Sequence, residues 1–122
     1  MRALVIEDEA AILMLVVDYL VEAGIEVLDT ASRIDDAMQK AATLEFDVAI
    51  LDVNLMGHHS YPVAALLKAR NIPFVFATGY GRAGLPPELE DLALLSKPFT
   101  QEQFNAALHE VTVGRASPDV LA

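Results

Sequence analysis

Short apolar runs recur along the chain, and each gives way to a segment with apolar residues at helical spacing. The runs predict strands over Arg2–Ile6, Ile25–Leu28, Val48–Leu51, Phe74–Ala77 and Leu92–Leu95. Between them, helices are predicted over Ala10–Ala23, Arg33–Thr43 and Tyr61–Arg70, with a short turn near Glu88–Asp91 and a last helix opening at Thr100. Gly24 fits a left-handed stop beyond the first helix, and Ser32 is the expected cap of the second. Thr100 and Gln103 form the spacing of a capping box, after which Phe104, Ala107, Leu108 and Val111 share one face. Strands that are apolar throughout are buried on both faces. Alternation with helices therefore predicts an α/β fold, a flavodoxin-like (βα)5 doubly wound sandwich with a parallel sheet in the order 2-1-3-4-5. Residues 1–113 form the domain on this reading, and 114–122 a loosely held C-terminal tail.

Composition narrows the classes of function. A formal charge of −10 argues against nucleic acid and against an anionic membrane surface, since neither is met by clustered Lys and Arg here. Cysteine is absent, which excludes disulfides and thiolate metal sites. The start MRALVIED has no secretory pattern, and the run Ile12–Val17 ends at Asp18, too short to span a bilayer. A cytoplasmic domain is expected.

The chemistry lies at the strand ends. Glu7 and Asp8 follow the first run and Asp52 follows the third, so in a 2-1-3-4-5 sheet these acids meet at the carboxyl edge, where ligands of open α/β folds bind. Each close carboxylate pair repels by a few kcal/mol, roughly, at a moderate dielectric. A hard divalent cation with oxygen ligands, Mg²⁺ or Mn²⁺ in its place, removes that repulsion. Thr78 after FVFA and Lys97 after LALLS complete the set.

With these residues placed, the chain resembles a response-regulator receiver domain over roughly Met1 to Val113. The matching motifs are VIEDE with Glu7 and Asp8, LDVNL with Asp52, ATG with Thr78 and SKPF with Lys97. Any one motif is commonplace, but four in order at strand ends are specific. The resemblance implies that Asp52 accepts a phosphoryl group from a histidine kinase, a histidine phosphotransfer protein or a small phosphodonor. It implies that Asp8 binds Mg²⁺ directly, Glu7 through a coordinated water, and Asn54 through its main-chain carbonyl. Thr78 would hydrogen-bond a phosphoryl oxygen, Lys97 would pair with the phosphoryl group, and Pro98 would follow a cis peptide bond. Asn54 and Tyr80 would tune the lifetime of the phosphoryl group.

A narrower resemblance rests on Phe76-Ala77-Thr78-Gly79-Tyr80, the signature of FAT GUY receivers, which pair with kinases of the HWE and related types. Most receivers carry a switching aromatic three residues before the lysine. Here that position is Leu94, as in FAT GUY receivers, so the usual aromatic switch is missing. Ordering of the Gly79–Glu90 segment is the expected substitute.

The first helix has more apolar residues than one face buries. With Ile12, Leu13, Val16, Leu20 and Ala23 toward the sheet, Met14, Val17 and Val21 form a second stripe, read as a surface for a phosphodonor or a weak dimer rather than a bare monomer face. His58-His59 reads as a solvated loop and His109 as surface. Nothing after Val113 is long enough for an output domain, so a stand-alone receiver acting through contacts or as a phosphate sink is expected, an excised domain being the other origin of such a chain. One alternative is a small haloacid-dehalogenase-like phosphatase, whose acid Asp two residues after the nucleophile is here Asn54. The other is a receiver-like interaction module that is never phosphorylated.

Overall fold

The computed structural model describes residues 1–79 and 94–121, the side chains of 113–121 excepted. Its elements are β1 (Arg2–Ile6), α1 (Ala10–Glu22), β2 (Glu26–Ala31), α2 (Ile34–Thr43), β3 (Val48–Asp52), β4 (Asn54–Leu55), β5 (His58–His59), α3 (Tyr61–Ala69), β6 (Phe74–Thr78), β7 (Leu94–Ser96) and α4 (Gln101–Leu121). Five strands make one sheet in the order β2-β1-β3-β6-β7, all pairs parallel. Setting aside the small β4–β5 hairpin, this is the 2-1-3-4-5 order read from the sequence. The turn expected near Glu88–Asp91 lies outside the described residues.

Alternate residues of each strand serve two cores, which is why the strands are apolar without a break. Leu4, Ile6, Ala49, Leu51 and Phe76 pack with Ala37 and Ala41 of α2 and with Val63 and Leu67 of α3. Ala3, Val5, Val48, Ile50 and Val75 pack on the other side with Val16 and Leu20 of α1 and with Phe104 and Leu108 of α4. The register then levels the strand ends. Ile6 pairs with Leu51, Asp52 with Ala77, and Thr78 with Ser96, so the next residues along the chain emerge at one edge.

Four local expectations are corrected. Ser32 does not cap α2; Arg33 occupies the N-cap position, without a side-chain cap. Ala23 is exposed at the C-cap of α1 rather than facing the sheet, because the helix stops before it, and Gly24 then takes φ +79°. Strand β2 runs on through Asp29 and Thr30 to Ala31, beyond the predicted Leu28. It is an edge strand, so polar residues there reach solvent, and Lys40 binds Asp29 at 3.3 Å and the Thr30 carbonyl at 2.6 Å. His58 and His59 are exposed as expected, but they form β5 instead of an irregular loop, and His59 stacks on Tyr61 with ring centroids 5.0 Å apart. His109 is exposed.

The capping box at the start of α4 is present. The Thr100 N–H donates to Gln103 Oε1 at 2.9 Å, and the Gln103 N–H donates to Thr100 Oγ1 at 3.1 Å. Thr100→Ala should lower the unfolding free energy by about 1 kcal/mol, read from urea denaturation midpoints at unchanged slope.

Candidate functional site

Glu7 and Asp8 leave the end of β1, Asp52 ends β3, Thr78 ends β6 and Lys97 follows β7. The structure brings all five together. One oxygen of each of Glu7, Asp8 and Asp52 lies within 4.8 Å of the others. Lys97 Nζ stands 2.9 Å from Glu7 Oε1 and 3.4 Å from Asp52 Oδ2. Glu7, Asp52 and Thr78 are buried, whereas Asp8 is half-buried. A cleft of about 400 Å³ opens over them, lined by Asp8, Asp52, Asn54, Thr78, Gly79 and Lys97 among others. Lys97 thus bridges two carboxylates and lies nearer Glu7 than Asp52.

The main chain aims these side chains. The Lys97 N–H donates to the Thr78 carbonyl at 2.8 Å, which ties the lysine to the threonine's strand. A cis peptide bond joins Lys97 to Pro98. The Phe99 carbonyl accepts the Tyr19 hydroxyl of α1 at 3.1 Å, and Gln101 Nε2 donates to the Tyr19 carbonyl at 3.1 Å. The turn that carries the lysine is therefore fastened to a packed helix.

The β4–β5 hairpin was not legible in the sequence, although it organises the acidic side of the cleft. Met56 and Gly57 both have positive φ, 49° and 87°, the pattern of a two-residue type I′ hairpin turn. Glycine at the second position was the only available signal, and methionine at the first conceals it. The Met56 N–H donates to Asp8 Oδ2 at 2.8 Å, and the Asn54 N–H donates to Asp52 Oδ1 at 3.3 Å. One hairpin thus holds two of the three acids.

Electrostatics follow from burial and crowding. Burial raises the Asp52 pKa to about 7, helped by hydrogen bonding to Glu7 and repulsion from it; Lys97 and the Asn54 N–H oppose the rise without cancelling it. Partial burial pushes Asp8 upward, but the Met56 N–H and then the Glu7 and Asp52 side chains outweigh this and hold it below the usual value. Burial disfavours the Lys97 ammonium, yet the hydrogen bond to Glu7 and the charges of Asp52 and Glu7 raise its pKa. Three hard oxygen donors within 4.8 Å of one another, those of Asp8 and Asp52 lining the cleft, fit a divalent cation such as Mg²⁺.

The family model of the response regulator receiver domain matches residues 3–109. The chain belongs to the response regulator receiver family. It is 36% identical over 100 residues to a protein-glutamate methylesterase/protein-glutamine glutaminase of Archaeoglobus fulgidus, covering 81% of this chain and 29% of that protein. It is 28% identical over 116 residues to the sensory transduction protein LytR of Staphylococcus haemolyticus, covering 91% of this chain and 45% of that one. The receiver thus spans less than half of either relative. Among solved structures, SdrG from Sphingomonas melonis Fr1 superposes with a TM-score of 0.83 at 38% identity, covering 91% of this chain and 95% of that chain. PhyR from Brucella abortus superposes at 0.86 with 24% identity, covering 98% and 51%, which supports the fold alone. The receiver accepts phosphoryl groups in two-component signalling, and the phosphatase alternative is not favoured.

Leu94 takes the expected place on β7, paired with Phe76 and partly buried against it. Tyr80 and all of the Gly79–Glu90 segment after Gly79 lie outside the described residues. Met14 and Val21 are exposed, at 67% and 64%, and Val17 is half-buried, so the second stripe on α1 exists. No described helix is long and apolar enough to cross a membrane.

The raised Asp52 pKa has a definite sign in stability. Its contribution is full below the unfolded value of 3.8 and lost as pH rises through about 7. Metal-free Asp52→Asn protein should therefore gain on wild type between pH 4 and pH 7, by on the order of a few kcal/mol, and level off above. Thermal melts across that range check this, and millimolar Mg²⁺ should shrink the gap.

Proposed function

We propose that Asp52 is the phosphoacceptor of a Mg²⁺-dependent, FAT GUY-type receiver. Its donor is a histidine kinase, of the HWE or a related type, or a histidine phosphotransfer protein. The observation that carries this reading is the ammonium of Lys97 lying 3.4 Å from the buried Asp52 carboxylate on the floor of an open acidic cleft. Asp8 and Asp52 would hold Mg²⁺ directly, with Glu7 through water and Asn54 through its carbonyl. When bound, the cation neutralises the clustered carboxylates and the charge spread over the phosphoryl oxygens. Mn²⁺ is a suitable substitute.

Each side chain then has one task. An ionised Asp52 oxygen attacks phosphorus as the bond to the donor's imidazole nitrogen breaks, and the imidazole leaves with the bonding electron pair. Lys97 pairs with the transferred group, and Thr78, whose strand is tied to Lys97, donates its hydroxyl to a phosphoryl oxygen. A carboxylate nucleophile splits transfer and hydrolysis into two easier steps. Asn54 and Tyr80 set water access to the acyl phosphate, and Pro98 fixes the turn after Lys97. The domain catalyses only its own phosphoryl gain and loss, in the cytoplasm. With Leu94 in place of the switching aromatic, its output is through protein contacts or as a phosphate sink.

Incubation with acetyl phosphate and Mg²⁺ should add one phosphoryl group by intact mass, and Asp52→Asn should abolish the label. Labelling of Asp52→Asn to the wild-type extent would overturn the assignment. No label on wild type from any donor would favour an interaction module.

Met14, Val17 and Val21 are proposed as the donor-docking stripe, on a monomer or weak dimer. Met14→Glu should slow transfer from a cognate phosphohistidine donor about tenfold or more while leaving acetyl phosphate labelling unchanged, because a charge there disfavours burial. Equal slowing of both reactions would count against docking.

A further inference from the structure

Ser60 is a fully buried serine at the N-cap position of α3, yet its side chain makes no capping hydrogen bond. The reason is in the neighbouring sequence. A capping oxygen accepts from the second or third N–H of the helix. Here the second residue is Pro62, which has no N–H. The third, Val63, already donates to the Ser60 carbonyl at 3.0 Å. The hydroxyl turns back instead. It donates to the main-chain carbonyl of Asp52 and lies 3.2 Å from that of Val53, while the Ser60 N–H donates to the Val53 carbonyl at 2.8 Å.

These bonds close the base of the β4–β5 hairpin. The other side of the same residue is fixed as well, since the Val53 N–H donates to the Ala77 carbonyl of β6 at 3.1 Å. With both ends of residue 53 held, the direction of the chain into Asn54 is set. Asn54 in turn presents its N–H to Asp52 Oδ1, its side-chain oxygen accepts the Gly57 N–H at 3.1 Å, and the hairpin tip binds Asp8.

We infer that Ser60 is a positioning residue for the cation and phosphoryl site, orienting the Asp52–Asn54 main chain from beneath through its hydroxyl. The inference rests on the reading of Asp52 and Asn54 as cation ligands. A capping serine would act on the stability of α3. A positioning serine acts on the geometry of the acids and carbonyl at the cleft, as groups behind metal ligands do when they set ligand orientation.

Isothermal titration of the full chain with MgCl₂ alone, beside acetyl phosphate labelling, separates the two. Ser60→Ala should weaken Mg²⁺ binding about tenfold, the usual lower range for losing a group behind a ligand. Leu67→Ala removes buried volume from the same helix away from the site and should leave Mg²⁺ affinity at the wild-type value while lowering the melting temperature. Unchanged affinity in Ser60→Ala, or an equal loss in Leu67→Ala, overturns the inference. Wild-type protein that neither binds Mg²⁺ nor takes the label removes the reading of the site and the inference with it. If Ser60→Ala does not fold, Ser60→Cys, of similar shape but a weak donor, takes its place: weakened Mg²⁺ binding supports the inference and unchanged binding overturns it.

Discussion

Carboxylates confined at the ends of neighbouring parallel strands are the constraint on which this molecule turns. Parallel pairing of β1 with β3 sets Ile6 beside Leu51, and the residues that follow are Glu7 and Asp52. Both are buried, and Asp8 adds a third acid within 4.8 Å. At an effective dielectric near 20, charges about 4 Å apart repel by about 4 kcal/mol. One ammonium group, Lys97, touches both buried acids and offsets part of that repulsion. What it leaves adds to burial, the larger cause, in raising the Asp52 pKa. The same surplus of negative charge suits the cluster to a hard divalent cation, whose charge would offset the repulsion that Lys97 leaves.

Such a site needs a stiff frame, and the two-sided core supplies it. Strand residues alternate between the α2–α3 side and the α1–α4 side, leaving the backbone little freedom to relieve the repulsion by moving apart. This part was legible in the sequence because it is written in side chains. Unbroken apolar runs marked the buried strands, and the acids, Thr78 and Lys97 stood just after them. The unread part is written in the main chain. Every residue but proline offers the same N–H and C=O, so nothing in the letters shows that Met56 donates to Asp8 or that Ser60 donates to Asp52. Positive φ at Met56 runs against the habit of a long side chain, and only tertiary context holds it there.

Local propensity misled at Ser32, and at Ser60 it says nothing of the bond the side chain makes. Both are residue types favoured at a helix start. Ser32 falls one residue too early, and Arg33 takes the N-cap position without a side-chain bond. Ser60 does stand at the N-cap of α3, but Pro62 removes one donor and the helix uses the other. The hydroxyl is thereby released for the strand end. A proline in the first turn, which reads only as a helix-start signal, has in this way a consequence for the site that helix propensity alone does not reveal.

Leu94 sharpens the question of how the state of the site is felt elsewhere. An aliphatic side chain packed against Phe76 offers no hydroxyl or ring edge to exchange between solvent and interior. Among the described residues, one connection between the site and the surface runs through the main chain around Lys97. Its N–H is bound to Thr78, and the turn after it is fastened to Tyr19 at two points, hydroxyl to Phe99 and carbonyl to Gln101. Tyr19 also packs against the rings of Phe99 and Phe104, with centroids 6.0 and 5.5 Å away. The helix that anchors the lysine is the one that exposes Met14 and Val21. A contact made on that stripe and the placement of the ammonium group therefore share one packed element, and moving one without the other would cost the two part-buried hydrogen bonds that tie α1 to the turn.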